Sequence, residues 1–137
     1  MSIFSSPRFL SRVMWADALS CVGCGALQLV FSQAMNRVTG LPLPLLIESG
    51  AFLLVYAAAA AWMASRSVPP RRLIGLVVLG NFAWAAGCLF LLAAGGLSLT
   101  GFGVAWLLMQ ALVVVVLAEL QWTGLRQRRE PARAATA

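Results

Sequence analysis

The chain has 137 residues, 61% of them apolar and only 10% charged, against roughly 25% charged in an ordinary soluble domain. Its formally charged residues are ten Arg against four acids, with no Lys and no His. This balance excludes a soluble globular domain, a disordered tail and a nucleic-acid module, and it points to a small all-α protein embedded in a membrane.

About 20 mostly apolar residues are needed to cross the hydrocarbon core, and four stretches reach that length. In chain order they are 13–35, 44–64, 73–94 and 101–123, which predicts a single transmembrane domain built as a four-helix up-down bundle. The first span carries Asp17, the second Glu48, the third no charge and the fourth Glu119. The joints carry helix-breaking chemistry: Gly40, Pro42 and Pro44, then Pro69-Pro70, then Gly95-Gly96 and Gly101. The first span is too long for the apolar core of a signal peptide and contains Asp17, so it is expected to be retained. Gly23-Cys24 and Gly87-Cys88 inside the first and third spans, with Gly40-Leu41-Pro42-Leu43-Pro44 and Gly96-Leu97-Ser98-Leu99-Thr100 before the second and fourth, would fit a parallel repeat of two hairpins; convergent loop chemistry in an Ala/Leu/Gly-rich chain is the simpler reading.

Arginine placement sets the expected orientation. Arg8, Arg12, Arg66, Arg71, Arg72, Arg126, Arg128, Arg129 and Arg133 fall on one side of a four-span chain, and Arg37 alone falls on the other. The positive-inside rule then puts both termini in the cytoplasm of a bacterium, with the protein in its inner membrane. The basic tail is expected to meet anionic lipids at that face and, lacking interleaved aromatics, not nucleic acid. Trp15, Trp62 and Trp122 read as anchors at the same boundary. On the other side Arg37 is expected to pair with Glu48.

Polar groups inside lipid are costly and normally face other helices or a cavity. Asp17, Cys21, Cys24 and Gln28 follow steps of four, three and four, which places them on one stripe of the first span, facing the bundle. Asp17 and Glu119 lie at similar depth, roughly 6–8 Å below the cytoplasmic boundary at helical rise, with Tyr56 and Asn81 a turn deeper. The expected intramembrane polar cluster therefore joins Asp17, Tyr56, Asn81 and Glu119, with Gln28 and Gln110 as further polar positions. Gln110 and Glu119 are nine positions apart, about half a turn in angle, so they cannot both face the bundle centre.

Cys21-Val22-Gly23-Cys24 and Cys88 are the candidate thiols. The C-x-x-C lies about 12–17 Å deep at helical rise, and with no His and one further sulfur it falls short of a closed metal site. No metal or other cofactor is expected. Packing of small side chains is the simplest reading of these thiols.

Three segments, Val13-Met14-Trp15-Ala16-Asp17, Gly80-Asn81-Phe82-Ala83-Trp84 and Ala118-Glu119-Leu120-Gln121, resemble those of small four-span inner-membrane proteins of proteobacteria. Gly40-Leu41-Pro42-Leu43-Pro44 looks DoxX-like, which implies a four-span fold. Asp17 occupies a place loosely similar to the membrane carboxylate of the small multidrug resistance transporters, whose aromatic and loop patterns this chain lacks. Span count and the Cys21/Cys24 pair are similar to the vitamin K epoxide reductases and the disulfide-generating quinone reductases. The loop-borne cysteine pair of those enzymes has no counterpart here.

Loops of about six to ten residues leave little room for a catalytic site. The expected function is a non-enzymatic accessory or interaction protein of the membrane. It would pack through its small-residue faces (20–25, 57–61 and 101–103) as a homo-oligomer or against another membrane protein. A small oligomeric proton-coupled transporter of a small molecule or ion, using Asp17 or Glu119, is the first alternative. A thiol redox protein using Cys21 and Cys24 is the second.

Overall fold

A computed structural model describes residues 8–127; Arg128, Arg129 and Arg133 of the basic tail lie outside the described residues. The fold is an all-α up-down bundle of α1 (Phe9–Val30), α2 (Ser32–Thr39), α3 (Leu43–Ser65), α4 (Arg71–Ala93) and α5 (Gly101–Gln127). All but α2 are long and apolar enough to cross a membrane, so the chain reads as a multi-pass membrane protein. The outward faces carry the residues such a setting needs: Leu19, Val55, Phe90 and Leu112 are all more than 60% exposed.

Local chemistry places the breaks. Pro42 caps α3 and Pro70 caps α4, where a missing N–H costs nothing. Gly40, with φ of 74°, terminates α2 in the left-handed region that glycine tolerates best. Thr100 starts α5, its hydroxyl accepting the Gly103 N–H at 3.1 Å.

The first span differs from its sequence reading. It begins at Phe9, four residues earlier than expected, and stops at Val30; the polar stretch 32–39 forms the separate helix α2. The break is at Phe31 (φ −111°, ψ 27°). Beyond it the sequence Ser32-Gln33-Ala34-Met35-Asn36-Arg37 is too polar for lipid, and only Met35 and Thr39, one turn apart, are buried.

The helices pack as two antiparallel hairpins, α1 with α3 and α4 with α5, joined along α1 and α5. Within the first hairpin the backbones meet at Gly25 and Gly50, where a Cβ on Gly25 would lie 2.8 Å from the Gly50 carbonyl oxygen. Asp17 precedes Asn81 by 64 positions, the same interval that separates Gly23-Cys24 from Gly87-Cys88. The hairpins thus carry corresponding polar and small residues at corresponding depth.

The two ends of the bundle close differently. At the Arg-rich end, Leu10, Met14, Ala60, Met63, Ile74 and Val77 form one apolar core. The Ser11 hydroxyl donates to the Ala64 carbonyl (2.5 Å), and Arg71 donates to the Leu125 carbonyl. Arg66 and Arg126 stack on Trp62 and Trp122 at 4.4 and 4.9 Å from the ring centres. At the opposite end α2 interlocks with the α4–α5 loop. There the Thr100 N–H donates to the Thr39 carbonyl (3.0 Å), and the Thr100 hydroxyl donates to the Val38 carbonyl. Arg37 and Glu48 are both exposed and form no ion pair with each other. That expected pairing is corrected: α2 carries Arg37 beside the bend at Val30 and Phe31 instead.

Between these closed ends α3 and α4 splay apart. Their helix-breaking loop, Pro69-Pro70, lies at the Arg-rich end. Further along, the two walls are bridged by Phe52 stacked on Trp84, with ring centres 5.7 Å apart and planes 8° from parallel.

Candidate functional site

Asp17 is completely buried. It lies about 12 Å along α1 at 1.5 Å per residue, deeper than the sequence reading placed it, because α1 starts earlier. Each of the other three spans sends one polar side chain to its Oδ2. The Tyr56 hydroxyl of α3 donates at 2.8 Å, the Asn81 amide of α4 at 3.2 Å and the Gln121 amide of α5 at 2.7 Å. Among the described residues its Oδ1 receives only the Cys21 thiol, at 3.7 Å.

The surrounding groups are themselves satisfied. The second Asn81 N–H donates to Gln121 Oε1 at 3.2 Å, and Gln121 Nε2 also approaches Met14 Sδ at 3.5 Å. Tyr56 has one proton to give, and Asp17 is the closer acceptor; the Asn81 oxygen is 3.4 Å away. Among the described residues every hydrogen-bond partner of the Asp17 carboxyl group is a donor, and none is cationic. Such a set suits an acceptor-only carboxylate and leaves Oδ1 with unused acceptor capacity.

The splay of α3 from α4 opens a cavity of about 840 Å³, floored by α1 and α5. Three of the four side chains that touch Asp17 (Cys21, Tyr56 and Asn81) also line this cavity. Its α4 wall is lowered by Gly80, Ala83 and Gly87, and a Cβ on either glycine would meet nothing within 4 Å. The remaining lining is apolar apart from a few polar positions. Gln28 accepts from the Ser49 hydroxyl at 2.8 Å, and Gln110 accepts from Trp84 Nε1 at 3.1 Å. Trp106 also lines the cavity, and its buried Nε1 has no hydrogen-bond partner among the described residues.

The structure brings Asp17, Tyr56 and Asn81 together and leaves Glu119 out. Glu119 is exposed on α5, its carbonyl accepting from Thr123. Gln121 takes the expected place of Glu119 in the cluster. The signal for it was in the spacing: Gln121 follows Gln110 by eleven positions, three full helical turns, so both share the inward face of α5. Gln28 and Gln110 are buried but separate, each meeting its own partner along the cavity. The stripe Asp17, Cys21, Cys24 and Gln28 does face the bundle.

Cys21, Cys24 and Cys88 are all free thiols. Cys24 packs beside Cys21, Leu53 and Ala57, while Cys88 belongs to the apolar core at the other end. Among the described residues no group of three His, Cys, Asp or Glu side chains could hold a metal ion.

No family model, curated protein or solved structure matches the chain. The reading of the site therefore rests on its own geometry.

Proposed function

We propose that the protein is a small non-enzymatic membrane transporter whose substrate occupies the cleft between α3 and α4. One observation carries this reading: Cys21, Tyr56 and Asn81 form cleft wall and also hold the Asp17 carboxylate. An occupant touching that wall acts on a node to which all four spans contribute a side chain. Intramembrane ionisable residues generally serve function because burying them is expensive. Here the node links the two hairpins, so protonation or ligand contact at Asp17 biases how they pack.

Placement in a bacterial inner membrane with both termini cytoplasmic belongs to the same proposal. Arg66, Arg71, Arg72 and Arg126 gather at one end of the bundle and Arg37 stands at the other. The cleft is a stronger basis than the small-residue faces, because much of that small-residue surface is used inside the chain. Gly25 packs on Gly50, Ala57 and Ala60 are buried, and Gly103 abuts the Thr39 carbonyl.

The test is export in cells producing wild type or Asp17→Asn at matched membrane abundance, challenged with a panel of toxic amphiphiles. Wild type is expected to lower accumulation of at least one compound, and Asp17→Asn to abolish that difference. Equal accumulation across the panel in cells with and without the protein overturns the reading.

A further inference from the structure

The cleft carries information about the charge of what enters it. Among the described residues, its lining contains no Arg and no other basic residue. Tyr56, Phe52 and Trp84 form a ladder of rings across it, with successive centres 6.4 and 5.7 Å apart. Ring faces carry the negative end of an aromatic quadrupole and attract cations, most strongly where water is excluded. At the end of this ladder lies Asp17, buried, held by neutral donors only, with Oδ1 short of partners. An anion entering the cleft would meet this field with nothing to offset it. A neutral molecule would gain less than a cation from the ring faces and the Asp17 oxygens. The volume, about 840 Å³, suits a drug-sized molecule.

From this, and resting on the transport reading above, we infer that the occupant is a hydrophobic organic cation. Its charge lodges against Tyr56 and Asn81, within the field of the Asp17 carboxylate, and its apolar body lies along Phe52 and Trp84. The glycine-lined edge of α4 gives it lateral access from the lipid, since Gly80 and Gly87 raise no side chain there. Phe52 remains 55% exposed at this wall.

The experiment is equilibrium dialysis of tetraphenylphosphonium against the full-length protein in uncharged detergent micelles, with micelles alone subtracted. Tetraphenylborate, nearly identical in shape and opposite in charge, is measured in parallel. Saturable binding of the cation is expected, with the anion bound at least tenfold more weakly.

Asp17→Asn should weaken the cation by roughly tenfold or more, the scale of one charge contact at intermediate dielectric. Trp84→Leu should weaken it by about three- to tenfold through loss of one ring face. It leaves Asp17 in place and so covers the case in which Asp17→Asn does not fold. Gly80→Leu, which projects a side chain into open space, should block binding. If both ions bind equally and Gly80→Leu blocks both, the charge inference falls while the cleft remains a binding site. If neither ion binds, or Gly80→Leu leaves binding unchanged, the cleft reading falls with it.

Discussion

Gln121 Nε2 sits 2.7 Å from Asp17 Oδ2, although 104 residues separate the two in sequence. This hydrogen bond ties the first span to the last and joins the two hairpins at their buried seam. Gln121→Leu removes a donor from Asp17 and an acceptor from Asn81 together. The expected loss is about 1–3 kcal/mol, measured by unfolding in mixed micelles with circular dichroism. The Asp17→Asn, Gln121→Leu pair should cost less than the two single changes added, because both act on one network. Strict additivity would show that the contact is not energetically coupled.

Glu119 supplies the control for that site. It is exposed on α5 and takes no part in the network, so Glu119→Gln should change stability by no more than about 0.5 kcal/mol. Transport should also be unaffected. A loss of transport with Glu119→Gln would move the coupling group from Asp17 to the surface of α5.

Close backbone approach makes a second, independent prediction. A Cβ on Gly103 would lie 2.0 Å from the Thr39 carbonyl oxygen, and both groups are backbone-fixed. Gly103→Ala should therefore destabilise the fold by about 1–3 kcal/mol as α5 is pushed off α2. Gly87→Ala meets nothing within 4 Å and should be neutral, or stabilising by up to about 1 kcal/mol through helix propensity. Thermal aggregation midpoints of the two variants in detergent would separate them.

The two indole groups of the cleft should behave differently. Trp84 Nε1 donates to Gln110 at 3.1 Å, whereas the buried Trp106 Nε1 has no partner. Trp84→Phe loses a hydrogen bond that Trp106→Phe does not. In protein without ligand it should cost about 1 kcal/mol more than Trp106→Phe. Equal costs would indicate that the Trp84–Gln110 bond contributes nothing.

Cysteine replacement separates transport from thiol chemistry. Cys24→Ala breaks the Cys21–Cys24 pair at a residue that neither lines the cleft nor bonds to Asp17. It should retain wild-type export. Loss of export in this variant, at matched membrane abundance, would favour a redox role.

Hydropathy and breaker residues were sufficient to define four spans, because lipid demands about 20 apolar residues per crossing and the Pro and Gly joints stop each helix. Helical spacing alone placed Asp17, Cys21, Cys24 and Gln28 on an inward stripe and separated Gln110 from Glu119 in angle, since 3.6 residues per turn is a local property. The sequence did not announce the bend at Phe31, where a change from apolar to polar neighbours turns one long helix into two. It also did not decide which α5 side chain meets Asp17. Charge drew attention to Glu119, but burial selected Gln121, which offers the donor that a carboxylate without a cation requires. The cleft belongs entirely to the tertiary structure. Whether α3 and α4 close or splay depends on how two hairpins lean about the α1–α5 seam, and contacts between segments far apart in the chain leave no periodic trace in either one.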